Sequence, residues 1–260
     1  MYFAEMQYRA YPNATTLERW DEILTATADF MASYAFWNES TKVYDLGPPM
    51  YPVSENTNPN ATRNPTFELA YWWFGLDIAA QWKKRLHQSV PEKWTHVAEH
   101  LAPLPIVNGT YEIYEGIPNM WIDPVTKTDH PAMIGIFGLL PPVPGVNTTI
   151  VSNTMNKIFS DWDFANLYGW DFPMLAMSAA RLGQKDRAVS LLLDKNFAFD
   201  DVGLPVGGSR VPTPYFPMSG GLLAAVAMIT EGWDGDGEEV KGGRWPEGWK
   251  VERAGFVKGM

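Results

Sequence analysis

The chain sets one carboxylate, Glu55, on a proline-stiffened loop over residues 46–60, LGPPMYPVSENTNPN. Pro48, Pro49, Pro52 and Pro59 fix φ and narrow the loop's freedom. A stiff polar loop between two helical patterns can hold a proton donor still; the competing reading is a solvated loop glutamate. A second pattern, His96-Val-Ala-Glu99-His100, matches the H-x-x-E-H spacing of zinc peptidases and puts two imidazoles on one helix face. A zinc site of that kind needs a third ligand and a base. Here the helix is cut short by Pro103, and its apolar face is Trp94, Val97, Ala98 and Leu101, which leaves His96 and His100 at the solvent edge. The chain has no cysteine and so no thiol nucleophile. No G-x-S-x-G elbow, P-loop or dinucleotide fingerprint occurs. His87 falls at a helix end, where a surface residue complementing the dipole is the simple reading.

The elements that must position these residues are helical nearly throughout. A first helix is predicted over 16–34, with Thr15 and Glu18 as a capping box and Leu17, Trp20, Leu24, Ala28 and Met31 as its stripe. A second opens at Asn64-Pro65, a cap followed by proline, and carries Phe67, Tyr71, Phe74, Ile78, Trp82 and Arg85 on one side. A shorter helix follows over 91–102, then a short strand over 111–116. Further helices are expected over 131–140, 148–162, 171–182 and 185–194, and a last one over 219–231 capped by Ser219. The tail, 248–257, reads as extended. The result is about eight helices in four successive pairs with long loops, which means a bundle, a solenoid or a closed toroid. No fixed short repeat supports a TPR, HEAT or ankyrin array.

Composition narrows the function classes. The 260 residues suffice for a real core. The net charge of -10 argues against nucleic acid, whose phosphates call for a basic patch. The acidic run over 234–239 lacks the twelve-residue EF-hand pattern and reads as a solvated loop. No apolar stretch is long enough to span a membrane, and the charged N-terminal segment does not read as a signal peptide. The 12 tryptophans serve cores, but aromatic faces also stack on sugar rings. Asn13, Asn38, Asn60, Asn108 and Asn147 all begin N-x-[ST] sequons, where composition alone gives about one. That excess points to a secretory or extracellular history.

Several segments in this order resemble the catalytic domain of six-hairpin glycosidases, similar to glycoside hydrolase families 95 and 65. They include Pro52-Val-Ser-Glu-Asn56, the Pro65-Thr-Phe-Glu-Leu-Ala-Tyr-Trp72 helix opening, Asp129-His-Pro131, Tyr168-Gly-Trp-Asp-Phe-Pro173 and Ala179-Ala-Arg-Leu-Gly183. The resemblance implies an all-α fold, an (α/α)6 toroid of which about four helical hairpins are present as a single partial domain over 1–260, the remaining pairs lying before Met1. It implies hydrolysis of glycosidic bonds in oligo- or polysaccharides, a carbohydrate substrate and no cofactor.

Val53-Ser-Glu-Asn56 is similar to the Ser-Pro-Glu-Asn loop of family 95, whose glutamate is the general acid. By that match Glu55 protonates the glycosidic oxygen as the first carboxylate of an inverting pair, its acidity weakened by aromatic walls from Tyr51, Trp72 and Trp73. The family's Asp-Gly-Asn-Phe-Gly-Gly motif corresponds to Pro214-Tyr-Phe-Pro-Met-Ser-Gly-Gly221, which keeps the glycines and lacks the aspartate. Asp171 is then the base candidate, with an N-cap as its competing role; Asp129 and Glu115 are alternatives. Asn56, Asp129 and His130 are assigned to substrate binding, and Trp72, Trp121 and Trp170 to sugar stacking. The rival readings are a catalytically inactive, truncated glycan-binding relative, and a helical scaffold that self-associates through an open toroid edge.

Overall fold

A computed structural model describes residues 1–206, 211, 213–235 and 244–260, and over these the protein is mainly α. The helices are α1 (Tyr2–Ala10), α2 (Ala14–Tyr34), α3 (Thr66–Arg85), α4 (Glu92–Glu99), a single turn α5 (Pro124–Lys127), α6 (Thr148–Asp161), α7 (Asp171–Arg181), α8 (Lys185–Leu192) and α9 (Pro217–Glu231). Two small antiparallel hairpins join them: β1 (Phe36–Asn38) with β2 (Val43–Asp45), and β3 (Ile106–Val107) with β4 (Thr110–Tyr111).

Two helices form the axis of the packing. Every residue of α7 is buried, and α3 is buried around most of its circumference, as expected of helices enclosed by others. Helices α2 and α4 cover α3, while α8 and α9 cover α7; a 3₁₀ segment over Ala132–Ile136 packs on both α3 and α7 and joins the two halves. The larger apolar cluster follows this path through Phe74, Met133, Ile134, Phe172, Leu175 and Ile229. Among the described residues no helix is long and apolar enough to cross a membrane.

Several expected boundaries move for local reasons. Helix α2 is capped by Asn13, whose side chain accepts the Thr16 N–H at 2.9 Å, and not by Thr15. Replacing a side-chain N-cap costs about 1 kcal/mol, so Asn13→Ala is expected to lower the unfolding free energy by that amount in urea titrations. Asn147 caps α6 in the same way, accepting from Thr149 and Ile150. The helix expected over 131–140 shrinks to the 3₁₀ turn. Gly138 lies at φ 138, and a Cβ there would stand 2.6 Å from the Ser178 backbone nitrogen, so the chain turns where it touches α7. The strand expected over 111–116 is confined to Thr110–Tyr111. Beyond it the backbone instead ties to the loop before α3, through Thr66 N–H to Ile113 O and Glu115 N–H to Arg63 O. Ser219 lies inside α9, which starts at Pro217. Of the acidic run, residues 236–239 lie outside those described, and Asp234 pairs with Arg9 at 2.5 Å.

Helix α1 was not legible as a helix, because it is nine residues long and carries no side-chain N-cap. It is seated by Glu5, buried on α3, whose carboxylate takes Arg85 at 2.5 and 3.1 Å and Arg9 at 3.0 Å. Burial alone would raise this carboxyl's pKa, but the two guanidinium groups outweigh it and hold it below the usual range.

Candidate active site

The loop carrying Glu55 is fastened on both sides of that residue. On α3, Glu68 accepts the Val53 N–H at 2.7 Å. The Ser54 hydroxyl donates to the His130 carbonyl at 2.8 Å, and the Asn56 N–H donates to Asp129 Oδ2 at 2.8 Å. Residues flanking Glu55 are thus tied to two consecutive residues, Asp129 and His130, while the Glu55 side chain stays exposed. At the loop's end Asn64 sits at φ 51. It does not cap α3; its side chain accepts the Leu46 N–H at 2.9 Å and donates to Asp45 and Glu115, each at 2.7 Å.

The 129–130 segment is itself anchored from beneath. Asp129 Oδ1 accepts the His130 N–H at 2.7 Å, and the Trp162 indole N–H donates to the Asp129 carbonyl at 2.8 Å. The His130 ring packs on Tyr168 and Trp170, with centroids at 4.4 and 4.3 Å. Its Nδ1 lies 2.8 Å from Oδ1 of Asp171, and Asp171 Oδ2 accepts the Tyr168 N–H at 3.0 Å. Asp171 opens α7 and is fully buried. The Tyr215 hydroxyl lies beside Trp170 and within electrostatic reach of both Glu55 and Asp171; burial raises it above the ordinary tyrosine value, the two carboxylates add to that, and Trp170 opposes it.

Total burial pushes the Asp171 carboxyl up, against the pull of His130. For His130, burial acts downward, but the hydrogen bond and charge of Asp171, with Asp129 and Glu55 adding to them, carry the imidazole above its ordinary value. The pair therefore keeps a proton between Nδ1 and Oδ1 to higher pH than a free histidine would. Asp129 is raised by burial, with the Asn56 and His130 N–H groups opposing.

The residues singled out by sequence separate into two sets. Glu55, Asn56, Asp129, His130, Trp170 and Asp171 come together. Trp72 does not: its ring is buried against Phe30 and Tyr34, and its N–H is bound to the Met31 carbonyl at 2.9 Å, so it is core. Trp121 stands edge-on to Trp162 with the Lys157 ammonium 4.9 Å from its ring centre, and it reaches the site only through Trp162. The expected walls beside Glu55 are also different. Tyr51 is 83% exposed, and Trp73 lines a groove with Leu69, Ala98 and Leu101; the aromatic surround is Tyr168, Trp170 and Tyr215. A small cavity of about 140 Å³, lined by Asn56, Thr57, Tyr114, Asp123 and Asp129 among others, adjoins the loop.

Asp171 has no open surface, so as a base it could reach water only through His130. Glu115, the other alternative, is held by Arg63 at 2.6 Å and by Asn64. Among the described residues no three His, Cys, Asp or Glu side chains gather to hold a metal ion. Around the His96–His100 pair no third ligand gathers among the described residues, so the zinc peptidase pattern is incomplete.

Ser54, Glu68 and Tyr215 carry no clear sequence signal of their roles. For Glu68 the available hint is its place in the first turn of a proline-opened helix, where a carboxylate is favoured by the dipole. Burial pushes its carboxyl from 4.5 up to about 7, with the Val53 N–H pulling the other way. The folded protein binds this proton more tightly than the unfolded chain does. The contribution is therefore complete below the unfolded value and is lost as pH rises through the folded one, a swing on the order of 3 kcal/mol. Glu68→Gln keeps an acceptor for Val53 and has no charge to bury. It is expected to gain on the wild type by up to about 3 kcal/mol as pH rises from about 5 to 8, read from urea midpoints. Parallel pH curves for the two proteins would show that Glu68 ionises alike in both states.

No family model matches the chain, and no curated protein matches it.

Proposed function

We propose that the chain is a glycoside hydrolase domain on an (α/α)6-type helical framework, cleaving glycosidic bonds in oligo- or polysaccharides with inversion and with Glu55 as general acid. One observation carries this reading: Glu55 is the exposed member of a loop whose neighbours Ser54 and Asn56 are both tied to the Asp129–His130 segment. A proton donor must be held within reach of the leaving oxygen, and this double tether supplies the hold. Glu55 gives its proton to the glycosidic oxygen as the bond to the anomeric carbon breaks; water adds from the opposite face and passes its extra proton to solvent, from which Glu55 is reprotonated. A sugar covering the loop would remove the water now around Glu55. Trp170 and Tyr168, both half-buried, offer aromatic surface beside it, while the buried His130 holds the segment that fastens the loop.

A second reading, a glycan-binding relative without turnover, has its own support. Both carboxylates gathered with Glu55 have both oxygens engaged: Asp129 by two N–H groups, Asp171 by His130 and Tyr168. Both are also buried, so neither meets an attacking water directly. The two readings separate on sugar release from a panel of α- and β-linked oligosaccharides, wild type beside Glu55→Gln. Release of the inverted anomer by the wild type alone supports the hydrolase. Saturable oligosaccharide binding without release by the folded wild type supports the second reading.

A further inference from the structure

We propose that His96 and His100 form a surface site for one divalent transition-metal ion of the copper or zinc class, independent of the glycosidase reading. The two residues are four apart at the C-terminal end of α4, so their side chains share a face. Their rings already lie together, with centroids 4.4 Å apart and planes 22° from parallel. His96 is exposed and His100 half-buried.

The hydrogen bonds fix the outward nitrogen of His100 and permit the same arrangement at His96. His100 Nδ1 lies 2.8 Å from the His96 carbonyl. A carbonyl only accepts, so this Nδ1 carries the hydrogen and Nε2 keeps its lone pair. His96 Nδ1 lies 3.2 Å from the Tyr44 hydroxyl, which can accept an N–H and leave Nε2 of His96 likewise free. Metal-binding histidines are oriented in this way, with the second ring nitrogen donating to a carbonyl or another oxygen. Both orienting groups are firmly placed. Tyr44 belongs to β2, and its backbone is tied to the end of α4 by Tyr44 N–H to His100 O at 2.7 Å and Ala102 N–H to Tyr44 O at 2.9 Å. Trp37, across the hairpin, packs against both imidazoles at 5.8 and 6.2 Å.

Two nitrogens bound at about 2.1 Å to one tetrahedral ion stand roughly 3.4 Å apart. The rings now lie stacked and nearly parallel, so binding requires them to rotate about their side-chain bonds until the two in-plane Nε2 lone pairs converge on the ion. With no third His, Cys, Asp or Glu gathered there among the described residues, water completes the coordination. Two imidazoles and water select ions that favour nitrogen, with copper(II) above nickel(II) and zinc(II), and not magnesium or calcium.

The composition makes the test clean. The chain has no cysteine and four histidines. His130 is buried, and His87 stands apart on a turn at φ 57. The untagged chain is titrated calorimetrically with copper(II) and with zinc(II), and nitrogen hyperfine coupling is read by electron paramagnetic resonance of the copper form. The expected result is one ion per chain with two coordinating imidazoles. His96→Ala and His100→Ala should each weaken binding at least about 10-fold, and Tyr44→Phe about 10-fold through the loss of an orienting partner; His87→Ala should leave binding unchanged. The replaced histidines lie at the surface, and an unaltered thermal midpoint confirms that each variant is folded. Absence of saturable binding overturns the proposal. So does binding that survives both alanine replacements, or that is lost in His87→Ala.

Discussion

Glu55→Gln is expected to slow release of an unactivated sugar by about 100- to 10,000-fold, the contribution of a positioned general acid. The amide is nearly the same size and cannot protonate a leaving oxygen. The loop should keep its course, because its fastenings belong to Val53, Ser54 and Asn56 and not to the Glu55 side chain. An exposed side chain without such ties costs within about 0.5 kcal/mol when replaced, so the folding midpoint should not move with activity. The acid role has a sharper signature than loss alone. A glycosyl fluoride, or a glycoside of an acidic phenol, leaves without protonation, and the variant should retain most of its rate on such a substrate. Equal losses on activated and unactivated substrates would take Glu55 out of the acid role. The partial burial among Tyr51, Trp72 and Trp73 expected from sequence is not what surrounds it. If Glu55 is the acid, its desolvation depends on the sugar that closes over it, so substrates truncated beside the cleavage point should lose turnover as well as affinity.

How much of this was legible in the chain divides along physical lines. Helices α6, α7 and α8 form within a residue or two of their expected bounds, with Gly183 legible as the stop after α7; the Asn147 cap of α6 was not read from the sequence. The 131–140 segment has an apolar run that periodicity cannot assign, and the deciding factor is tertiary: Gly138 lies against the backbone of α7. Trp72 shows the same limit. Spacing puts it on a helix beside the Glu55 loop, but α3 buries most of its circumference, so nearness in sequence does not say which way a side chain on it faces. The site residues Asp129, His130, Trp170 and Asp171 could be named because their types carry chemistry. Their joining could not be read, because Asn56 and Tyr168 enter it through backbone N–H groups that every residue possesses. The sequon excess has a partly local source. Asn13 and Asn147 are N-caps, and a threonine two positions on lies in the first turn of each helix. Asn38 is half-buried, with its side-chain amide bound to Asp45 at 2.9 Å. That leaves Asn60 and Asn108 as exposed sequons not serving as caps.

Asp171→Ala is expected to lower the unfolding free energy by about 3–5 kcal/mol, the cost of breaking a buried ionic pair by removing one partner. The substitution strands the His130 Nδ1–H and the Tyr168 N–H, both of which end on this carboxylate, and unmatched buried donors carry their full desolvation penalty. Asp171→Asn should recover only part of the loss, since its one remaining acceptor oxygen can serve one of the two donors and its NH₂ group faces the other. The pH course identifies the cause. In the folded protein His130 is held above its ordinary value by Asp171, so its stabilisation is complete below about pH 6.5 and fades as pH rises through the folded value. The gap between wild type and Asp171→Ala should therefore be widest near pH 6 and narrow toward pH 9, measured as urea midpoints with an unchanged slope. A gap of constant size across that range would mean that the loss is one of packing alone, and that the imidazole beneath Glu55 does not owe its proton to Asp171.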